Sequence, residues 1–167
     1  FLIDQNFPEA KEIIKLSFEK MLQGGLFDHI EGGFFRYCVD LDWTIPHYEK
    51  MLYNSAQLIE LYSLIYQSNK NKRINDSIYL TIKWLTKTMQ SEGGGFFASM
   101  DADSNNDEGN MEEGAYYNWS LEELKKFLTP AEFLELTNNF YLDGEPNYEG
   151  KKWHLNLKSF AGVAKFK

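Results

Sequence analysis

The stretch GGLFDHIEGGFFRYCVDLDWTIPHYEKM, residues 24–51, determines how the chain is organised. Four glycines and Pro46 break any helical period here, while six aromatic residues indicate an ordered segment. Long loops inside a compact domain are usually functional or disordered. The stretch therefore predicts a long structured loop, over residues 23–46, that carries chemistry.

Helices are predicted on both sides of this loop. Apolar residues recur at steps of three and four over three segments: Pro8 to Leu22, Pro46 to about Tyr66, and about Asn71 to Gln90. Two more helices open at Ser120 and Thr129, because each of these residues has a glutamate three positions later, as in a capping box. These segments predict paired helices with long loops between the pairs.

The fold class predicted from this order is all-α, a layered array of helical hairpins with its long loops at one end. Near the C-terminus, Trp153, Leu155 and Leu157 alternate with polar residues after the DGEPNYEG turn and predict a short strand or hairpin. A chain of 167 residues suits one domain. Because it opens on FLIDQNFPEA without an initiator Met, we expect residues 1–167 to be a single helical domain from a longer chain.

The excess negative charge of the chain is concentrated in one segment. Residues 101–123 hold eight Asp or Glu and no Lys or Arg, which leaves 17 acidic and 17 basic residues elsewhere. Without a basic patch, neither nucleic acid nor an anionic membrane surface is an expected partner. No apolar run reaches the ~20 residues of a membrane span. The single Cys38 excludes an internal disulfide and favours a cytoplasmic location.

The chemistry of the first loop rests on three short units: Asp28-His29, Arg36-Tyr37 and His47-x-Glu49. A histidine near a carboxylate can act as a general acid or base, and an arginine can hold an anion or a developing oxyanion. The same residues also have structural interpretations. Asp28 and His29 can satisfy buried backbone groups, and Arg36 can pair with an acid.

His47 and Glu49 lie in the predicted second helix, where residues two apart point about 200° away from each other. One of them is then structural, with Glu49 favoured by the helix dipole. Tyr37, Trp43 and Tyr48 can stack on a sugar or pack in the core. Zinc needs three or four His or Cys ligands, and the chain has three His and one Cys, so no metal and no cofactor is predicted.

The acidic stretch MDADSNNDEGNMEE, residues 100–113, spaces Asp101, Asp103, Asn105, Asp107 and Glu112 like the ligands of a calcium loop. The context differs, because Asn106 replaces the glycine of the tight turn and the preceding segment is Gly-rich rather than helical. Three interpretations stay open: a solvated acidic loop, a calcium site, and a site role for Asp101 or Asp103.

Four strings of the chain also carry a family resemblance: GGxxDHxxGGFxRY, DxxWxxPHYEKMLY, GGFFASMDADS and EGAYYNW. In this order they resemble the second domain of a family named after a spermatogenesis-associated protein, over residues 24 to about 119. The resemblance implies a helical toroid of six hairpins, an (α/α)6 fold similar to that of N-acylglucosamine 2-epimerases, of which this chain would be a partial ring. It also implies a thioredoxin-like domain elsewhere in the full-length chain. Departures from the family pattern are Glu31, Cys38, Tyr48 and Asn54.

The leading functional hypothesis is a carbohydrate-processing domain of the epimerase or isomerase type, with a small sugar-like ligand. His29 or His47 would move a proton, and Arg36 would steady an enolate or carboxylate oxygen. The orienting carboxylates would be Asp28, Glu49, Asp101 or Asp103, and the sugar would contact Tyr37, Trp43 and Trp119. The alternatives are a module that binds client protein for the thioredoxin-like domain, and a calcium-stabilised structural domain. A partial ring would expose apolar faces, so self-association is expected.

Overall fold

The computed structural model of the chain describes residues 8–160. The described α-helices are Pro8–Gln23 (α1), Leu52–Ser68 (α2), Lys72–Trp84 (α3), Leu121–Phe127 (α4) and Pro130–Asn139 (α5). A π-helical segment, Leu85–Met89, extends α3, and a 3-10 turn covers Ala115–Tyr117. Helices α2 and α3 pack against each other, as do α4 and α5. Helical hairpins are thus present, as the apolar periodicity predicted.

Three two-stranded antiparallel pairs connect the loops. Lys50–Met51 (β1) pairs with Ser99–Met100 (β2), Asp103–Asn105 (β3) with Met111–Glu113 (β4), and Asn118–Trp119 (β5) with Trp153–His154 (β6). The protein is therefore helix-rich with small strand pairs; the prediction included the C-terminal strand β6 and omitted the other strands. They are too short to show a period of two in the sequence.

Local capping chemistry sets the starts of three helices, at Ser120 and Thr129 as predicted and also at Asn71. Ser120 and Thr129 each accept from the backbone N–H three residues later, while Glu123 and Glu132 reach back to the Ser120 and Thr129 N–H groups. Asn71 accepts from the Arg73 N–H at the start of α3. These caps satisfy N–H groups that have no partner within the helix.

The predicted second helix begins six residues later than expected, at Leu52 rather than Pro46. Residues 46–51 instead form extended contacts with the loop and with β2. Pro46 lies opposite Cys38, the His47 N–H donates to the Tyr37 carbonyl at 3.0 Å, and Lys50 lies opposite both Phe35 and Met100. These long-range bonds outweigh the local helical period of the sequence.

Two large hydrophobic clusters form the core of the domain. One joins α1, the loop, α2 and α3 through Leu22, Phe27, Phe34, Leu58, Tyr62 and Ile74. The other joins α4, α5 and the C-terminal segment through Leu124, Leu136, Phe140, Leu142, Trp153, Leu155 and Leu157. A smaller cluster of Phe35, Tyr48 and Ala102 is also buried. The loop of residues 24–51 contributes to both the first cluster and the smaller one.

The C-terminal segment inserts between distant parts of the chain. The Leu157 N–H donates to the Gln23 carbonyl at 2.9 Å, and the Tyr141 N–H donates to the Asn156 carbonyl at 2.9 Å. The strand predicted here is only two residues long, Trp153–His154, and both of its faces are buried, since His154 and Asn156 are covered as well as Trp153. Within residues 8–160, no helix is long and apolar enough to cross a membrane.

Candidate functional site

A buried ion pair fixes the inner half of the first loop, residues 24–35. The Lys50 side chain is fully buried, and its Nζ lies 2.6 Å from Asp28 Oδ2 and 2.9 Å from the Gly32 carbonyl oxygen. Three aromatic rings surround the ammonium group with centroids 4.9 to 5.0 Å away, those of Phe35, Trp84 and Tyr117. Cation–π attraction at this distance adds to the ion pair.

The other oxygen of Asp28 orders the backbone beside it. Oδ1 accepts from the Ile30 N–H at 2.9 Å and from the Glu31 N–H at 3.1 Å. Burial favours the neutral acid, but the Lys50 charge and these hydrogen bonds hold the pKa of Asp28 below its ordinary value. Asp28 is therefore an ionised anchor for the segment that carries His29.

Two histidines are held by consecutive backbone carbonyl groups. His29 Nε2 lies 3.0 Å from the Gly24 oxygen, and His154 Nε2 lies 3.0 Å from the Gly25 oxygen. Because a carbonyl oxygen only accepts, we assign the proton of His29 to Nε2, which leaves a lone pair on its Nδ1. The His154 ring faces two carbonyls, those of Gly25 and Tyr117. Burial lowers the pKa of each histidine to about 4, against the opposing effect of the carbonyl acceptors. Both imidazoles are therefore neutral near pH 7.

The glycine at position 25 permits this close approach. A Cβ there would lie 2.1 Å from the Thr44 oxygen and 2.7 Å from His154 Cδ2. At Gly24, a Cβ would lie 2.3 Å from the Trp43 oxygen. The Gly24-Gly25 pair thus lets the backbone pack closely against residues 43–44 and, at Gly25, against the His154 ring, which a larger residue would prevent.

The two histidines line the same cavity of about 180 Å³, which we call the aromatic cavity. Its lining residues are Phe27, Asp28, His29, Ile30, Glu31, Tyr116, Tyr117, Trp119, His154 and Leu155. Two polar atoms of this lining are buried without a good hydrogen bond in the described structure: Nε1 of Trp119 and Nδ1 of His154. The Tyr117 carbonyl lies near the His154 ring and favours its protonated form. Burial raises the pKa of the Tyr117 hydroxyl, so it stays neutral.

A hydrogen bond spans the rim of the aromatic cavity. The Tyr116 hydroxyl lies 3.1 Å from Glu31 Oε1, which joins the second long loop to the first. The Tyr116 N–H in turn donates to Ser104 Oγ at 2.9 Å. Glu31, a departure from the family pattern, thus supplies a carboxylate at the rim where a glycine would supply none.

A second cavity of about 300 Å³ lies on the other side of His29 and shares Phe27, His29 and Ile30 with the first. It also contains Lys72 and Asp76, which form an exposed ion pair, and the buried Arg73, which donates to the Phe160 carbonyl at 2.9 Å. The His29 ring contacts Phe27 and Phe140 edge-on at 5.4 Å. His29 therefore forms part of the wall between two cavities.

The outer half of the first loop, residues 36–49, carries a second group of polar residues. Arg36 Nη1 lies 3.0 Å from Glu49 Oε2, and His47 Nδ1 lies 3.5 Å from the same oxygen. The His47 ring stacks on Tyr37 with centroids 4.9 Å apart. Arg36 and Tyr37 are exposed, and none of these four residues lines either cavity beside His29. The expected pairing of Arg36 with an acid is present.

His47 and Glu49 share one face, contrary to the helical geometry predicted for them. They belong to extended backbone rather than a helix, and the Glu49 N–H donates to the His47 carbonyl at 2.6 Å around Tyr48, whose φ is 54°. A non-glycine residue with positive φ is strained, and such strain clusters at functional sites. This tight turn brings both side chains to Arg36.

Trp43, Asp101 and Asp103 lie in neither group. Trp43 is also strained, with φ 63°, in a turn where the Asp40 carboxylate accepts from the N–H groups of Asp42, Thr44 and Ile45. Asp101 and Asp103 are exposed, and Asp101 Oδ1 accepts from the Asp103 N–H at 3.2 Å. Burial raises the pKa of Cys38 to about 12, so its thiol is not a nucleophile near neutral pH.

The acidic stretch forms the β3–β4 hairpin rather than a ligand loop. Asn106 stabilises the turn, because its Oδ1 accepts from the N–H groups of Glu108 and Asn110, and its Nδ2 donates to Glu112 Oε2 at 2.8 Å. Across residues 8–160, no group of three or more His, Cys, Asp or Glu side chains is placed to hold a metal ion. The calcium spacing of the sequence therefore does not become a converging set of ligands there.

Of the predicted site residues, the structure brings Asp28, His29 and Trp119 together at the aromatic cavity. Arg36, Tyr37, His47 and Glu49 form the separate outer group. Sequence reasoning did not select His154, Tyr116 or Lys50 for the site. The signal that His154 carries is its residue type, because the chain has three histidines and this one occupies a polar position of the alternating segment.

Comparison with known proteins gives one consistent relationship, although no family model matches the chain. The chain is 35% identical over 127 residues to mouse spermatogenesis-associated protein 20 and 34% identical over 127 residues to the human protein. It is 40% identical over 137 residues to an uncharacterized protein of Caenorhabditis elegans.

These matches cover 75% to 77% of this chain and 16% to 18% of the relatives, so the chain spans less than one fifth of their length. The matched length is consistent with the motif resemblance over residues 24 to 119. The chain is therefore homologous to a segment of spermatogenesis-associated protein 20.

Proposed function

We propose that the protein binds a small sugar-like molecule in the aromatic cavity and moves a proton on it, as a sugar epimerase or isomerase does. The observation that carries the proposal is the lining of this cavity, which the neutral His29 shares with two tyrosines, a tryptophan and the carboxylates of Asp28 and Glu31. Aromatic rings suit the apolar faces of a sugar, and polar groups suit its hydroxyls.

In this mechanism His29 Nδ1 takes a proton from the carbon next to a sugar carbonyl. The electron pair of the broken C–H bond moves to the carbonyl oxygen, which becomes an enolate. Return of the proton from His29 to the same face gives back the substrate. Delivery of a proton from water to the opposite face gives the epimer, and the proton held by His29 then passes to the hydroxide that remains. The Tyr117 hydroxyl and the Trp119 N–H are the donors of the cavity lining available to the enolate oxygen.

The role first suggested for Arg36 changes in this proposal. Arg36 is paired with Glu49 in the outer group and does not line the aromatic cavity. A sugar that extended from the cavity mouth to the outer group would still meet Arg36, Tyr37 and His47. The outer group is therefore the second place to look for the ligand.

The finer description of the fold belongs to the same proposal. We infer that the α2–α3 and α4–α5 hairpins are part of an (α/α)6 toroid completed elsewhere in a longer chain that also carries a thioredoxin-like domain and resides in the cytoplasm. Packed helical hairpins and the much greater length of the relatives support this inference. A structure of a full-length relative with fewer than six hairpins would contradict it.

Proton exchange on carbon tests the catalytic proposal. The protein is incubated in D2O with a panel of monosaccharides, and loss of each C–H signal is followed by proton NMR. We expect deuterium at one carbon of one sugar, abolished by His29→Asn and retained by the matched variant His47→Asn. Unchanged exchange in His29→Asn, with exchange lost in His47→Asn, would move the chemistry to the outer group.

A second candidate function is the binding of a client protein, and the outer half of the loop favours it. Val39 is 63% exposed and Leu41 is 98% exposed, next to the exposed Tyr37. Exposed apolar side chains grouped on one loop suit a protein partner. Retention of a reduced, unfolded client protein by the wild type but not by a Val39→Ser, Leu41→Ser variant would support this function. Equal retention by both would exclude this loop as the client site.

A further inference from the structure

We propose that the second cavity binds a small amphipathic monocarboxylate, in which a short chain joins an apolar ring or branched group to the carboxylate. This is the cavity of about 300 Å³ that lies on the other side of His29 from the aromatic cavity. Both the site and the ligand differ from those of the proposed function. The inference therefore does not depend on a sugar in the aromatic cavity.

Within residues 8–160, several distant parts of the chain build the second cavity. Leu22 comes from the end of α1, residues 27–30 from the first loop, and residues 72–80 from one face of α3, while residues 139–140 and Leu157 close the opposite side. Sites for small molecules usually measure about 300–1,000 Å³. The second cavity reaches this range, and the aromatic cavity, at about 180 Å³, does not. The second cavity therefore has the size for a ring with a short chain.

The deeper part of the second cavity is apolar. Its buried apolar lining residues are Leu22, Phe27, Phe140 and Leu157. Two more apolar lining residues, Ile30 and Tyr79, are 56% and 63% exposed, so the lining continues to the protein surface. An apolar group that enters from solvent leaves water when it contacts this lining, which favours binding.

Charged side chains of α3 line the same cavity. Lys72, Arg73 and Asp76 all belong to the lining, and Lys72 Nζ pairs with Asp76 Oδ2. Two cations and one carboxylate give the described lining one net positive charge. The aromatic cavity, among residues 8–160, is lined by two carboxylates and by no lysine or arginine. The two cavities beside His29 therefore differ in the sign of their charge, and the second cavity is the one that attracts an anion.

Lys72 is the cation that can reach the carboxylate of a ligand. Its side chain is 64% exposed, and its ammonium group has further N–H donors besides the one that it gives to Asp76. Arg73 is buried and donates to the Phe160 carbonyl at 2.9 Å, so it adds positive charge to the wall from a fixed position. Hydrogen bonds between an ammonium and a carboxylate are stronger than those between neutral groups.

The lining distinguishes three head groups on the same apolar group. A carboxylate is attracted by the net charge and accepts hydrogen bonds from Lys72. A protonated amine would compete with Lys72 for Asp76 and would be repelled by the charge of Arg73. An alcohol can form hydrogen bonds but gains no net Coulomb attraction. The carboxylate is therefore the head group that the second cavity selects.

The test compares three probes with the same phenyl ring and chain: 3-phenylpropionate, 3-phenylpropan-1-ol and 3-phenylpropylamine. Each is titrated at pH 7 into ¹⁵N-labelled protein, and ¹H–¹⁵N correlation spectra are recorded. We expect the acid to bind at least about tenfold more tightly than the alcohol, and the amine to bind more weakly than the alcohol. The amide signals of Ser77 and Asn139, which line the second cavity, should shift, while the indole N–H of Trp119 in the aromatic cavity stays unchanged.

A pair of lysine variants on α3 tests the position of the head group. Lys72→Met removes the ammonium but keeps a long side chain, and we expect it to weaken binding of 3-phenylpropionate about tenfold without changing binding of 3-phenylpropan-1-ol. Lys83→Met is the matched control, because Lys83 is exposed on the same helix and lines neither of the two cavities beside His29. Equal loss of affinity in both variants would show a general effect of protein charge and overturn the role of Lys72.

Three further outcomes would contradict the inference. If the alcohol binds as tightly as the acid, the charge of the lining does not select the ligand. If the amine binds most tightly, Asp76 rather than Lys72 recognises the head group. If no probe shifts Ser77 or Asn139, the second cavity does not bind this class of molecule. Each of these results leaves the proposed function untouched, because that function concerns a sugar in the aromatic cavity.

Discussion

The two halves of the first loop use similar residues for different purposes. The inner half pairs Asp28 with a fully buried lysine and holds His29 against a backbone carbonyl. The outer half pairs Glu49 with the exposed Arg36 and stacks His47 on Tyr37. An acid and a histidine thus occur in both halves, but the ion pair of the first half is buried and that of the second is open to solvent. Residue type alone does not distinguish these cases, because the difference arises from what packs around them.

The largest effect is expected from a substitution that breaks the ion pair of the inner half. Lys50→Met leaves the Asp28 carboxylate buried without its cation, and removal of one partner of a buried pair costs about 3–5 kcal/mol. Urea unfolding followed by circular dichroism measures the change. The matched variant in the outer half, Arg36→Met, should cost less than about 1 kcal/mol, because its ion pair is exposed. Similar losses in the two variants would contradict the difference between the halves.

The next effect is a loss of stability on acidification. The pKa of His29 and of His154 is about 4 in the folded protein and near 6.5 when unfolded. Between these values the unfolded chain binds more protons, so the free energy of unfolding falls as pH drops from about 6.5 to 4. The loss is on the order of 3 kcal/mol for each histidine.

The Asp28 carboxyl does not cause the loss of stability between about pH 6.5 and 4. Its folded pKa is below the ordinary value of 3.8, so its contribution is present above pH 3.8 and is lost only at lower pH. Urea unfolding at steps between pH 7 and 4 gives the profile, and His154→Gln should flatten it. An equally steep profile in that variant, with direct ¹⁵N titration of His154 near pH 6.5, would refute the prediction.

A smaller effect tests the contact between the glycine pair and the histidines. Gly25→Ala places a Cβ 2.1 Å from the Thr44 oxygen, so the backbone must shift. We expect a loss of about 2 kcal/mol, typical of overpacking, and a changed His154 ring signal. The control is Gly93→Ala, where a Cβ meets nothing within 4 Å. A neutral Gly25→Ala would show that the two carbonyls need not lie so close to the imidazoles.

The smallest effect concerns the acidic hairpin. Because its carboxylates do not converge on a metal-binding group within residues 8–160, millimolar calcium should leave the thermal midpoint unchanged. The Asp101→Asn, Asp103→Asn variant should match the wild type in calcium and in EDTA within about 0.5 kcal/mol. A calcium-dependent rise of the midpoint that is absent in the variant would restore the calcium interpretation.

Much of the helical structure could be predicted because its signals are local. The capping boxes at Ser120 and Thr129 are complete within four residues of sequence, and both form as expected. The predicted start of α2 at Pro46 was wrong. Residues 46–51 are held by partners in the loop and in β2, and the helical period of the sequence does not reveal these partners. Most strands were missed for the same reason, because their pairing partners are distant in sequence or the strands are too short to show a pattern.

The site was harder to predict because its parts are distant in sequence. Asp28 and His29 were selected because they are adjacent to each other. His154 was missed because its contact with Gly25 spans 129 residues and no local pattern indicates it. Lys50 lay in a predicted helix, where a lysine usually faces solvent, and nothing in the sequence indicated its three aromatic neighbours.

The contact between His154 and Gly25 also has a consequence for biosynthesis. A ribosome that adds about 5–20 residues per second needs roughly 6–26 s to travel the 129 residues between the two positions. During that interval the nascent chain holds the Gly25 carbonyl and the inner half of the loop without the C-terminal segment that covers them. The aromatic cavity therefore closes only after residues 153–157 have emerged. Until then this region exposes apolar side chains that chaperones can bind.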